Sequence, residues 1–195
     1  MAKTNRVKHT GAIIVFISIF FLALMVTIQK VINSSSTVYN VCRYYGIHCV
    51  VVKHYTKDKL PNAAVVKDKP IIYLVNDIEK ILSREELLSI LTHEVGHLVL
   101  KHYSRMEEAN RISKSIYGRP LTRGEFCHLK RQFELEADRF VAETSHKLGY
   151  PNEMAEGLRK LVPPEVSNLE TCTHPSLNTR IKYIRYYEEL YEEDK

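Results

Sequence analysis

The sequence contains no C-x-x-C pair, no internal repeat and no concentrated run of basic residues. Zinc ribbons bind their structural metal through paired cysteines, so the missing C-x-x-C argues against that class of domain. The formal net charge is +5, yet lysine and arginine are dispersed among acidic residues and the C-terminal end is acidic. The sequence therefore predicts no nucleic-acid-binding surface.

Charge is also missing from Gly11–Gln29, an almost wholly apolar stretch in a chain where 26% of the residues are charged. About twenty apolar residues are needed to span the hydrocarbon of a bilayer. A cleaved signal peptide is the alternative, but this run exceeds the usual apolar region of roughly 7 to 15 residues, and no A-x-A-like cleavage site follows it. We predict a basic flank at 1–10, a transmembrane helix at 11–31, a linker at 32–36 and one folded domain at 37–195.

The basic residues beside the apolar stretch predict its orientation. Lys3, Arg6 and Lys8 precede it, whereas Lys30 alone follows it before Arg43. We expect a single-pass membrane protein. Basic residues are enriched on the cytoplasmic side of a span, and this enrichment predicts the orientation. The N-terminus is expected to be cytoplasmic and the folded domain extracytoplasmic.

The four cysteines, Cys42, Cys49, Cys127 and Cys172, are compatible with two disulfide bonds in an oxidising compartment. Four cysteines allow three pairings, and the sequence does not choose among them. Four reduced cysteines, packed as small apolar side chains, are the alternative.

The folded domain is predicted to be α+β and mostly α, with a small antiparallel sheet. Three runs rich in β-branched or apolar residues predict its strands, at 47–52, 63–66 and 71–75. So small a sheet needs a partner, so we expect it to pack against the helices that follow.

Local signals at helix ends predict most of the helices. Ser83 and Thr122 each begin the S/T-x-x-E pattern of a capping box, and Gly149 is placed to end the second of these helices. No element is predicted for the polar and basic stretch 107–119. The other helices are expected at 37–45, before Pro163, and from about 177 to 193.

The principal motif is His93-Glu94-Val95-Gly96-His97, an HExxH pattern on the helix that begins near Ser83. Residues four apart share one face of a helix, so both imidazoles can bind a single metal ion. Glu94 lies one residue further round, where it can accept a proton from the attacking water and return it to the leaving amine. HExxH also arises by chance, so the motif indicates a metal site only if another residue can join the two histidines as a ligand.

The second helix supplies such a partner. A catalytic zinc ion takes three protein ligands and keeps one position open. Glu134 and Asp138 are one turn apart on one helix face, so Glu134 can be the third ligand while Asp138 accepts the ring N–H of a ligating histidine. A solvated acidic face is the usual explanation for such a cluster. Beside HExxH we predict instead a site for one Zn²⁺.

The HExxH motif, followed by Glu134-x-x-Ala-Asp138, resembles family 48 of the metallopeptidases, the HtpX-like and CAAX prenyl protease group of the gluzincins. Further similar segments are Pro61-Asn62-Ala63-Ala64, the stretch from Gly96 to His102, and Thr173-His174-Pro175 followed by Arg180-Ile181. The resemblance extends over about 60–184.

This resemblance implies a zincin-like domain in which His93, His97 and Glu134 bind zinc, Glu94 is the catalytic base and Asp138 supports a histidine ligand. The resemblance leaves the roles of two later residues open. His174 is either a donor to the oxyanion that develops on the substrate or a regulatory fourth metal ligand. Arg180 is either an oxyanion donor or the ion-pair partner of a helix carboxylate.

His102 also matches the family pattern. If its helix continues without a break, His102 is about 500° round the axis from His97 and faces away from the metal. We therefore expect a packing or hydrogen-bonding role.

Together these observations predict a membrane-anchored zinc metalloendopeptidase that hydrolyses peptide bonds of protein substrates through a metal-activated water. The family resemblance suggests quality control of membrane or envelope proteins, and no oligomeric state is predicted. The strand at 71–75 is expected to be the edge on which a substrate peptide adds. A catalytically silent, membrane-tethered binding module is the alternative, although such a module has no need of Glu94. A deformylase-like hydrolase would need a cysteine ligand upstream, and none of the four cysteines lies in the matching sequence context.

Overall fold

The computed structural model describes residues 36–58, 60–67 and 69–193. The predicted flank at 1–10, the predicted transmembrane helix at 11–31 and the linker up to residue 35 lie outside this part. Within the described residues, no helix is both long enough and apolar enough to cross a bilayer. The described chain is α+β and mostly α, as predicted.

Helix α1 covers residues 36–44 of the described chain and ends before Gly46, whose φ of +72° suits glycine. The three strands are β1 (Val50–His54), β2 (Asn62–Val65) and β3 (Ile71–Val75). The following helices are α2 (Ile78–Ile81), α3 (Arg84–Val99), α4 (His102–Tyr117), α5 (Arg123–Leu148), α6 (Met154–Leu161) and α7 (Leu177–Glu192). A 3₁₀ turn at Pro164–Val166 lies between the last two helices.

The sheet is mixed, which corrects the prediction of an antiparallel one. Its strand order is β1-β3-β2, with β1 parallel and β2 antiparallel to β3. The short connection from Val65 to Ile71 makes β2 and β3 a hairpin, whereas β1 pairs with the other side of β3. Because β3 is the most buried strand, it takes the centre of the sheet.

Helices α3 and α5 pack against each other and form the main support of the domain. Both predicted capping boxes are present, at Ser83 for α3 and at Thr122 for α5. One face of α3 buries Leu87, Leu91 and Val95 completely. Helix α7 packs along α5, and α6 packs on α3, so the middle turns of α3 and α5 are held side by side.

Helix α4 was not predicted from the sequence. Helix α3 ends at Val99 instead of continuing to His102, and the chain turns at Lys101, whose φ is +55°. Helix α4 then runs in a new direction with mostly exposed polar residues and few apolar positions. The buried residues of this helix, His102 and Ser113, are both polar, so apolar residues do not mark its packing face.

All four cysteines form disulfide bonds, in the pairs Cys42–Cys49 and Cys127–Cys172. The first joins α1 to the start of the sheet. The second joins the first turns of α5 to the segment just before His174. Of the two alternatives left open by the sequence, the described structure therefore contains the oxidised one.

Candidate metal centre

Three side chains that could hold a metal ion, supplied by two helices, meet in one cleft. His93 and His97 lie on successive turns of α3, and Glu134 reaches them from α5. Nε2 of His93 is 3.1 Å from Nε2 of His97 and 3.4 Å from Oε2 of Glu134. Nε2 of His97 is 3.5 Å from Oε1 of Glu134. One ligand atom from each residue therefore lies within 4.8 Å of the other two.

These separations fit a tetrahedral zinc ion. Zinc binds histidine nitrogen and carboxylate oxygen at roughly 2.0–2.2 Å, and a tetrahedron built on such bonds has edges of about 3.3–3.6 Å. The two ring nitrogens are 3.1 Å apart, and the Glu134 carboxylate is 3.4 Å from His93 through Oε2 and 3.5 Å from His97 through Oε1, which is close to that range. Two imidazoles and one carboxylate also form a common donor set of catalytic zinc, with a fourth position left open.

The far side of His93 is fixed by a carboxylate and a guanidinium. Nδ1 of His93 donates to Oδ1 of Asp138 over 2.9 Å. Arg180, on α7, donates to both oxygens of Asp138, from Nε over 2.8 Å and from Nη2 over 2.6 Å. With its Nδ1 proton engaged, a neutral His93 keeps the Nε2 lone pair free for a metal.

The electrostatics of this group couple metal and proton binding. Burial lowers the pKa of His93, but the Asp138 and Glu134 carboxylates outweigh it and raise the pKa to about 9. Burial raises the pKa of the Glu134 carboxyl. His93 and Arg180 outweigh this effect and hold that pKa well below its ordinary value. Since a ligating histidine must be neutral, a proton and a metal ion compete for His93.

Glu94 lies beside the metal-binding group without joining it. Its Oε2 accepts the backbone N–H of Val65, on β2, over 3.0 Å. The residue is 8% exposed, and burial raises the pKa of its carboxyl to about 7. A carboxylate with such a pKa can exchange protons readily near neutral pH.

The cleft has a volume of about 260 Å³, and β2 lies along one side of it. A second, more apolar groove of about 720 Å³ adjoins it. The two share Leu158, Leu161, His174 and Arg180 among their lining residues. A peptide lying along β2 would therefore have apolar surface beside it.

His174 reaches the edge of the metal-binding group. Its Nε2 is 3.5 Å from Oε2 of Glu134, and its Nδ1 is 2.8 Å from the hydroxyl of Thr173. A hydroxyl can donate to Nδ1, and a carboxylate only accepts, so this arrangement favours the tautomer that carries its proton on Nε2. Partial desolvation lowers the pKa of His174, whose side chain is 53% exposed, and this favours the neutral ring.

The structure therefore brings together every residue predicted for the site. His93, His97 and Glu134 face one another, Glu94 and Asp138 lie next to them, and His174 and Arg180 reach in from the C-terminal segment. Arg180 pairs with Asp138, which matches the second of the two roles left open for it, and its Nη1 is also 3.6 Å from Oε2 of Glu134.

Two contacts of the site were missed by the sequence reasoning. The backbone of Val65 carries no residue-type signal, so its hydrogen bond to Glu94 is invisible in the sequence. His102 was expected to face away from the metal, but its Nδ1 is 2.8 Å from Nδ1 of His97. The helix break at Lys101 causes this difference, whereas the expected packing and hydrogen-bonding role is confirmed, because His102 stacks on Phe133 and contacts His97 and Glu136.

The HExxH helix and the His₂Glu donor set are typical of metal-dependent hydrolases. The model of Peptidase family M48 matches residues 45–119 and 115–188, which together make up most of the chain. The chain therefore belongs to Peptidase family M48, whose members are zinc metallopeptidases. Its assignment to the HtpX-like and CAAX prenyl protease group stays a prediction. Among curated proteins, no sequence matches the chain significantly.

Proposed function

We propose that the chain is a membrane-anchored zinc metalloendopeptidase that cleaves protein substrates in its β2-lined cleft. The observation that carries this proposal is the facing arrangement of His93, His97 and Glu134, with the carboxylate of Glu94 beside them. Zinc bound there would act as a Lewis acid and would lower the pKa of a bound water towards roughly 7.

In this proposal Glu94 is the catalytic base. Its carboxylate accepts a proton from the attacking water and passes it to the nitrogen of the leaving amine. The raised pKa of Glu94, about 7, supports both steps, because the group can take up and release a proton near neutral pH. The N–H of Val65 holds one carboxylate oxygen and so fixes the direction of the other.

His174 is proposed as the donor to the oxyanion. The contact between its Nδ1 and Thr173 supports an Nε2–H, which can donate to a developing negative charge. The rival role is a fourth metal ligand that blocks the open position. The variant His174→Ala distinguishes the two roles, because loss of an oxyanion donor lowers kcat by roughly 10²–10³-fold. Loss of a blocking ligand raises activity instead.

The substrate is proposed to add to β2. The prediction that Ile71–Val75 forms the substrate edge is wrong, since that strand lies in the centre of the sheet. Strand β2 is at the edge and lines the cleft, so main-chain hydrogen bonds to it would give broad sequence selectivity. A substrate peptide methylated on alternate amide nitrogens should then show a higher KM. An unchanged KM would exclude strand addition.

The location is proposed to be extracytoplasmic. Disulfide bonds persist in oxidising compartments, and the pairs Cys42–Cys49 and Cys127–Cys172 support that side of the membrane. In intact cells that express the full chain, a membrane-impermeant maleimide should label the cysteines only after external reduction. Labelling in lysed cells without any reduction would contradict the proposal. Quality control of membrane or envelope proteins is the role that the family resemblance suggests.

The decisive experiment compares the detergent-purified full chain with Glu94→Gln and with a control, Glu85→Gln, on the same helix. Zinc content and casein cleavage are measured for each. We expect about one zinc in all three proteins, and a loss of cleavage of at least roughly 10²-fold in Glu94→Gln alone. Zinc binding without cleavage by the wild type would favour the silent binding module. Absence of zinc from the wild type would overturn the proposal.

A further inference from the structure

The break between α3 and α4 turns His102 back onto a predicted metal ligand. Helix α3 ends at Val99, Lys101 adopts a left-handed conformation, and His102 is the first residue of α4. The side chain of His102 is 3% exposed and lies behind His97, on the side opposite the donor atom Nε2.

His102 connects His97 to an ion pair at the surface. Its Nδ1 is 2.8 Å from Nδ1 of His97, and its Nε2 is 3.3 Å from Oε2 of Glu136. Arg105, one turn further along α4, donates to both oxygens of Glu136. The order of contacts is therefore His97, His102, Glu136 and Arg105, and it links α3, α4 and α5.

The chemistry of these groups sets the position of each proton. An ionised carboxylate only accepts, so the ring nitrogen of His102 that faces Glu136 must carry a proton. Two ring nitrogens 2.8 Å apart share a single proton. If His97 binds a metal through Nε2, its own proton lies on Nδ1, and Nδ1 of His102 accepts it.

Ring stacking holds His102 in the required plane. Its imidazole lies parallel to the ring of Phe133, with a centroid separation of 4.4 Å and an interplanar angle of 4°. Phe133 directly precedes the ligand Glu134 on α5, and Arg105 covers the same aromatic ring. The element that supplies the third ligand thus also orients the partner of His97.

We infer that His102 is a positioning residue for the metal: it accepts the Nδ1 proton of His97 and thereby keeps the Nε2 lone pair of His97 directed at the zinc site. This inference rests on the proposed zinc site. The two histidine ligands then have different supports, a carboxylate for His93 and an imidazole for His97. Glu136 and Arg105 complete the support by holding the proton of His102 on its far nitrogen.

The test measures the zinc dissociation constant of the detergent-purified full chain by competition with a chromogenic chelator. His102→Phe keeps the stacking on Phe133 and removes the acceptor, so zinc affinity should fall by roughly 10–100-fold. His102→Asn puts an amide oxygen near the position of Nδ1 and should recover most of the affinity. His54→Phe is the matched control, because His54 stacks on Tyr73 and should leave the affinity unchanged.

A second readout detects the proton itself. Long-range ¹H–¹⁵N spectra of the zinc-bound wild type, labelled on its histidines, should show His102 with its proton on Nε2 and an unprotonated Nδ1 that faces His97. His102→Phe that binds zinc as tightly as the wild type, or a wild-type His102 with its proton on Nδ1, would overturn the inference. The spectra decide the matter even if the phenylalanine variant fails to fold. If the wild type binds no zinc, the proposed function fails instead, which is a separate result.

Discussion

Arg180 and Asp138 form a two-point ion pair in the interior of the domain, at 6% and 0% exposure. The pair joins α7 to α5, and the same carboxylate receives the Nδ1 proton of His93. Burial raises the pKa of Asp138, but the guanidinium outweighs it and holds that pKa below its usual range. The last helix of the domain therefore supports a metal ligand on the first long helix through a single buried carboxylate.

Replacement of Arg180 by methionine should leave Asp138 charged and poorly compensated in the interior. We expect the free energy of unfolding to fall by about 3–5 kcal/mol, measured by urea denaturation. The control Arg111→Met removes an exposed partner of Glu108 and should change stability by less than about 1 kcal/mol. Equal effects of the two substitutions would contradict the importance of the buried pair.

Two glycine-to-alanine substitutions in helices should have opposite effects. A Cβ on Gly96 would lie 3.0 Å from the Phe140 ring, so Gly96→Ala should destabilise the protein by about 1–3 kcal/mol. A Cβ on Gly157 would meet its nearest neighbours at 3.4–3.5 Å, which is ordinary contact. Gly157→Ala should therefore stabilise the protein by about 0.5–1 kcal/mol through helix propensity. Thermal unfolding of both variants checks the difference in sign.

The left-handed conformation of Lys101 predicts that glycine is favoured at this position. A non-glycine residue with φ of +55° bears a steric cost of roughly 1–2 kcal/mol. Part of that cost is offset by the greater entropy of glycine in the unfolded chain, so Lys101→Gly should stabilise the protein by about 0.5–1 kcal/mol. In contrast, Lys114→Gly inside α4 should destabilise it by a similar amount. A destabilising Lys101→Gly would mean that the lysine side chain itself holds the turn.

Glu188 should make stability depend on pH. Burial raises the pKa of this carboxyl from 4.5 to about 7 in the folded protein, and nearby Glu153 adds to the shift. The folded state thus binds the proton more tightly than the unfolded state, and the wild type loses stability as pH rises from about 4.5 to about 7.

The variant Glu188→Gln removes this titration. It should match the wild type near pH 4 and be more stable at pH 8, by less than about 1 kcal/mol after allowance for solvent screening of the half-buried group. Urea unfolding at the two pH values measures the effect, with the exposed neighbour Glu189→Gln as control. A gain of equal size at both pH values would contradict the assignment to Glu188.

The features predicted best from the sequence are those that depend on residues close together in the chain. The capping boxes at Ser83 and Thr122 each depend on residues three apart, so the starts of α3 and α5 could be read directly. The spacing of His93 and His97 on α3, and of Glu134 and Asp138 on α5, then followed from helical periodicity. That the two pairs meet was predicted from the donor set that zinc needs and from the family resemblance, since no local pattern specifies how α3 and α5 pack.

The features that were missed depend on contacts between distant segments. The residues next to Lys101 include neither glycine nor proline, so no local pattern predicts the helix break that redirects His102. The position of β2 at the sheet edge depends on which neighbours β3 selects, and period-2 patterns do not encode strand order. The cysteine pairing likewise follows from the path of the chain, as in the bond that joins the start of α5 to the segment before His174.

The capping boxes and the supports behind His93 and His97 have a consequence for how the protein would acquire its metal. His93 contacts Asp138 and His97 contacts His102 on the side away from the proposed metal, so we expect the ligands to stay oriented when zinc dissociates. A zinc finger, by contrast, folds only when the metal arrives. Loss and regain of the ion would then switch individual molecules off and on without unfolding them, and metal supply would set the active fraction of the population.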